Sequence, residues 1–129
     1  MVRGHDTKEL SMEYMLLIHA DTSGAEALPE SARTQMLAAY RAYTEALQQS
    51  GVVRSSNRLR PASSATAVRV RDGKTEVQNG PFIETKEELG GYYLIDVPNI
   101  DSALSWAARC PGANFGTIEV RPIWPMGEY

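Results

Sequence analysis

Three groups of residues in this sequence have the types and spacing for chemistry. His19 closes an apolar run two positions before Asp21. An imidazole beside a carboxylate can serve as a base at neutral pH, because its ordinary pKa lies near about 6.5. Glu84 opens the acidic cluster Glu84-Thr85-Lys86-Glu87-Glu88, and Asp96 falls within the strand-forming run 92–97. His19, Glu84 and Asp96 are therefore the candidate catalytic residues for proton transfer. Arg69, Glu119 and Arg121 form the second group: the guanidinium groups suit bidentate capture of a carboxylate or phosphate, or a buried ionic network that fixes subunit register. Asn79, Phe82 and Tyr92 form the third, polar and aromatic residues gathered around a shaped loop.

Other chemistries lack their residues. Cys110 is the sole cysteine, so no intrachain disulfide or cysteine cluster can form. It falls at the end of a helical pattern, where the dipole raises a thiol's pKa and disfavours a nucleophile. With His5 and His19 as the only histidines, no metal site is expected. No phosphate loop, dinucleotide fingerprint or serine elbow appears, and no cofactor is expected.

The loop that must position the third group lies in residues 77–97, VQNGPFIETKEELGGYYLIDV. Asn79-Gly80-Pro81 reads as a turn in which Asn79 bonds its own following backbone. Thr85 and Glu88 have capping-box spacing, which predicts a helical turn over 85–89 and makes capping the commoner use of both residues. Gly90-Gly91 reads as a break before the strand.

The remaining elements follow from periodicity. Residues 14–19 form a first strand that is apolar on both faces, so both faces need cover. One helical layer covers one face, and a second subunit packed sheet against sheet would cover the other. A loop over 20–30 leads to a helix near Pro29-Glu30-Ser31, with Met36, Tyr40, Tyr43 and Leu47 on one side and Gly51 as its stop. Residues 52–60 read as a second strand. Residues 65–71 and 74–78 flank Asp72-Gly73, the signal for a type I′ hairpin. Asn99 caps a second helix with Ile100, Ala103, Leu104 and Ala107 as its stripe; Trp106 falls off it, at a subunit edge or in solvent, and Cys110-Pro111-Gly112 ends the helix. In the last strand, 116–123, Ile118 and Val120 oppose Thr117, Glu119 and Arg121.

This order fits a ferredoxin-like βαββαβ sandwich, an α+β fold with helices on one face of an antiparallel sheet. Arg69, Tyr92, Asp96, Glu119 and Arg121 then lie on the other face. Residues 1–12 read as a mobile lead and 13–129 as a single domain. A net charge of −3, with 13 Lys and Arg scattered among 16 acids, gives no footprint for nucleic acid. No apolar run approaches a membrane span, and a lone cysteine fits a cytoplasmic protein.

Asn79-Gly80-Pro81-Phe82, Glu84-Thr85-Lys86-Glu87, Leu89-Gly90-Gly91-Tyr92-Tyr93 and the run 116–122, GTIEVRP, closely resemble the DGPF proteins of the YCII-related family. The resemblance runs from about residue 14 to residue 123. It implies a ferredoxin-like domain that pairs into a dimeric α/β barrel, hence a homodimer. It departs at Asn79, where the motif carries Asp, and asparagine cannot transfer a proton at neutral pH. Some relatives use a His–Asp pair with the histidine on the first helix; residues 30–50 contain no histidine. The resemblance and the residues lead to three expectations. The first is a binder of a small, anionic metabolite in a pocket bordered by loop 79–93 and the polar sheet face. The second is a cofactor-free acid–base enzyme using His19, Glu84 or Asp96. The third is an interaction module linked to sigma-factor regulation, since relatives are often encoded beside such factors.

Overall fold

The computed structural model describes residues 11–21 and 28–128. Its elements are β1 (Met12–Ala20), α1 (Glu30–Gln49), β2 (Val53–Arg58), β3 (Thr66–Arg71), β4 (Lys74–Asn79), β5 (Glu88–Val97), α2 (Ile100–Arg109) and β6 (Thr117–Pro122), with short 3₁₀ turns at Ala62–Ser64 and Pro111–Asn114. The expected lead at 1–12 lies outside the described residues up to residue 10, while Met12 already pairs with Val97 as part of β1. Most of the 20–30 loop lies outside them as well.

Four strands form one antiparallel sheet in the order β2-β5-β1-β6. This is the ferredoxin-like α+β arrangement. The β3–β4 hairpin is a separate two-stranded ribbon inserted between β2 and β5. Its turn places Asp72 and Gly73 at φ 51° and 75°, the pair of positive angles that a type I′ turn requires.

Alternation along the strands decides where the core sits. Tyr14 and Leu16 of β1 and Tyr93, Ile95 and Val97 of β5 point to the helices, where they meet Tyr43 and Leu47 of α1, Ala103 and Ala107 of α2, and Cys110. Leu16, Leu47 and Ile95 are fully buried, each contributing about 1.5–3 kcal/mol. Tyr43 stands edge-on to Tyr93 at 5.2 Å between centroids and donates its hydroxyl to the Trp106 carbonyl at 2.7 Å. The hydroxyls of Thr44 and Tyr93 pair at 2.7 Å. Polar atoms in this core thus have partners, as burial demands.

Both helix ends follow from local chemistry. The Asn99 side chain accepts from the Ser102 N–H at 2.9 Å, the expected N-cap. At the end of α1, Gly51 takes φ 73°; its N–H reaches the Gln48 carbonyl and that of Val52 reaches Leu47, a Schellman ending.

Three local expectations are corrected. No helical turn forms over 85–89: Thr85 donates its hydroxyl to the Glu87 carbonyl at 2.6 Å, and Glu88 accepts from the Ala62 N–H at 2.8 Å. Pairing of Glu88 with Ala20 in the sheet outcompetes a one-turn helix. Gly90-Gly91 does not break the strand either. The register shifts there, and a Cβ on Gly91 would stand 2.8 Å from the Asn57 carbonyl oxygen, so glycine serves the close approach of β2. On α2, Ile100 and Leu104 are exposed, whereas Trp106 packs on the core and carries Arg109 over its ring at 4.3 Å. Small Ala103 and Ala107 let the helix lie close to the sheet, which turns the wide indole inward.

Candidate functional site

Both helices pack on one face of the four-stranded sheet, and no helix or strand among the described residues covers the other. Residues of that face line up in rows across the strands: Asn57, Tyr92, Leu17 and Glu119 in one, Ser55, Leu94, Met15 and Arg121 in the next. Met15, Leu17, Tyr92 and Leu94 are half-buried, while Glu119 and Arg121 are exposed. His19 lies on the same face at the end of β1, opposite Thr117.

His19 Nε2 meets Glu119 Oε1 at 3.0 Å, with the side chains 28% and 48% exposed. In the tautomer that carries its proton on Nε2 and donates it to that carboxylate, the Nδ1 lone pair is left to act as an acceptor or a base. The carboxylate that holds the imidazole is thus Glu119, one hundred positions along the chain. Beside the pair, Thr117 donates its hydroxyl to Glu87 Oε1 at 3.1 Å, and Asn57 donates its amide to the Tyr92 hydroxyl at 2.8 Å. A polar end and an apolar middle therefore share one face.

The fold gathers His19, Tyr92 and Glu119, sets Arg121 on the same face opposite Met15, four residues along β1 from His19, and disperses the other candidates. Asp96 pairs with Glu13, six residues back along β1 from His19, which puts it about 20 Å away at the strand's rise of about 3.3 Å per residue. There its Oδ2 binds Arg54 at 3.1 Å, and its Oδ1 is buried with no partner. Arg69 is on the ribbon and not on the sheet face, because the hairpin that carries it pairs only with itself; its guanidinium stacks over Phe82 at 4.5 Å. Asn79 ends β4 opposite Thr66, and the turn closes through the Gly80 N–H on the Ala65 carbonyl at 2.7 Å, with Gly80 at φ 102°. The expected Asn79 side-chain bond is replaced by this backbone one. Glu84 is exposed on the loop.

Asn57, Thr117 and Glu87 were absent from the candidates. Thr117 shares the alternation of Glu119 and Arg121 and could have been read from it. Glu87 shares with Glu84 the acidic cluster that the cap leaves unexplained, and the path of the loop decides between them; Asn57 carries no such signal, because its position depends on the register of β2.

Two shallow hollows border α1, one lined by Leu37, Tyr40, Arg41, Thr44, Glu45 and Gln48, the other by residues such as Tyr43, Arg109 and Asn114. Neither includes the open sheet face or loop 79–93. Beneath the first, burial pushes the Cys110 thiol and the Tyr93 phenol up, and pushes the Tyr40 and Tyr43 phenols well above their ordinary value. These groups are neutral packing at physiological pH. Among the described residues no group of three His, Cys, Asp or Glu can hold a metal, and no helix is long and apolar enough to cross a membrane.

Comparison with known proteins agrees with the fold. The model of the YCII-related domain matches residues 12–127. An uncharacterized protein of Rhizobium meliloti (strain 1021) is 38% identical over 118 residues, covering 87% of this chain and 92% of that protein.

Proposed function

The chain belongs to the YCII-related family, and from that premise we propose that it works as a homodimer whose open sheet faces meet and hold a small anionic metabolite. The observation that carries this is the two adjoining rows of half-buried apolar residues, Leu17 with Tyr92 and Met15 with Leu94, which no described helix or strand covers and which His19 and Arg121 border. Half-buried apolar side chains across a sheet face favour a second layer. A guanidinium at its margin supplies bidentate recognition of carboxylate or phosphate. Of the loop named with this site, Tyr92 and the adjoining Glu87 belong to it, while Asn79 and Phe82 belong to the ribbon.

Sedimentation equilibrium and a thermal-shift screen of small carboxylates and phosphates test the two halves of the proposal. A dimer at micromolar concentration is expected; a monomer there sinks the face-to-face reading. A ligand at about a hundredfold its Kd stabilises by about 2.7 kcal/mol, which moves the melting midpoint by several degrees. No shift across the panel rejects the binding role.

A second reading, cofactor-free acid–base catalysis, is favoured by the His19–Glu119 contact at 3.0 Å. A carboxylate that fixes one imidazole nitrogen leaves the other directed to a substrate proton. Turnover that survives His19→Ala unchanged would reject it.

A further inference from the structure

The β3–β4 ribbon has two faces of opposite character. Directly opposed residues of an antiparallel pair share a face, so Thr66 with Asn79, Val68 with Val77, and Val70 with Thr75 make one, and Ala67 with Gln78, Arg69 with Glu76, and Arg71 with Lys74 make the other. The second carries four charges and stacks Arg69 on Phe82. The first carries none and is built almost entirely of β-branched side chains. It is nevertheless bare: Val68, Val70 and Val77 are 61%, 61% and 64% exposed.

A two-stranded ribbon has little stability alone in water, and a flat uncharged face of valine and threonine is an association surface unless it is covered. The area decides what can cover it. Two strands of six residues present about 200 Å² on one face at ordinary strand rise and spacing. A stable partner needs about 800 Å² on each side. An occupant of the ribbon face must therefore engage other surface of the same chain, and the open sheet face, with its rows of apolar residues that no described helix or strand covers, is a broad surface of that kind. A second copy covers both at once, and twofold symmetry presents the same uncharged patch twice. We propose that the uncharged face of the β3–β4 ribbon, centred on Val68 and Val77, docks as an arm on a second copy of this chain. The arm rests on the face-to-face dimer proposed above and adds to it a contact that the sheet faces alone do not provide.

The test compares the full chain with Val68→Glu, Val77→Lys, the charged-face control Arg71→Ala and the sheet-face variant Leu94→Glu by sedimentation equilibrium, with far-UV circular dichroism to check the fold. The arm predicts at least a tenfold rise in the dimer Kd for Val68→Glu and for Val77→Lys, and a change within twofold for Arg71→Ala. Wild-type dimer lost in Leu94→Glu but unaltered in both valine variants overturns the arm and leaves the sheet dimer standing. A monomeric wild type overturns the dimer, and the arm with it. Should the valine variants misfold, hydrogen exchange of the wild type decides: protection of residues 66–79 that rises with dimer formation supports the arm, and protection independent of concentration overturns it.

Discussion

Gly116 sits so close to the carbonyl oxygen of His19 that a Cβ on it would collide with that oxygen and crowd Cα of Ala20. The entry to β6 and the end of β1 are thereby pressed together where His19 meets Glu119. Gly116→Ala must push the two strands apart. Overpacking of this kind costs about 1–3 kcal/mol, and the shift falls on the backbone that carries His19. Urea unfolding should show that loss, and the variant should bind any ligand of the open face more weakly than its residual stability explains. Wild-type stability in Gly116→Ala would mean that the strands are not held this closely.

The main elements were legible because they rest on period and caps. Alternation along 92–97, the Asn99 cap and the Asp72-Gly73 turn each act within a few residues, and the structure keeps all three. What sequence could not supply was register and the sequestering of the hairpin. Arg69 alternates like Arg121, yet one lies on a detached ribbon and the other in the sheet, since strand pairing is decided by distant partners. The same cause moved the partner of His19 from Asp21 to Glu119. Thr85 and Glu88 had the spacing of a cap, and a tertiary partner, the Ala62 N–H, took the carboxylate instead.

The buried cluster under α1 sets an alkaline limit. Cys110 and the phenols of Tyr40, Tyr43 and Tyr93 are raised above their ordinary values of 9.0 and 10.0, chiefly by desolvation. Above about pH 9 the unfolded chain loses protons that the folded chain retains, so stability falls as pH rises. These groups contribute their full stability below that pH. The melting midpoint should be insensitive to them between pH 7 and pH 8 and should drop by several degrees from about pH 9 to about pH 11. At about pH 8 the Cys110 thiol should resist a thiol reagent in the folded protein and react on unfolding; prompt reaction of the native protein would contradict its burial.

Glu88 ties the ribbon's approach to the sheet by accepting from the Ala62 N–H at 2.8 Å. Glu88→Ala leaves that N–H without its acceptor, a loss of about 1–3 kcal/mol if it stays buried. The segment then loosens locally, because β5 is still held by β1 and β2. Trypsin should cut after the exposed Arg58 at least several times faster in the variant while global unfolding changes little. Equal cleavage rates would show that the Glu88 contact does not restrain this segment.

The separation of His19 and Asp96 makes the location of the site testable. Asp96 is engaged by Arg54 at the far end of β1's register, about 20 Å from His19 by strand rise. A ligand held at the His19 end cannot touch both. For an anionic ligand found by thermal shift, His19→Ala should weaken binding by about tenfold to a hundredfold, since a hydrogen bond to a charged group contributes about 1.5–3 kcal/mol. Asp96→Asn should leave affinity within about twofold. Titration calorimetry of the two variants reads this directly. If Asp96→Asn abolishes binding and His19→Ala does not, the ligand lies at the Arg54 end of the sheet and the site must be moved there.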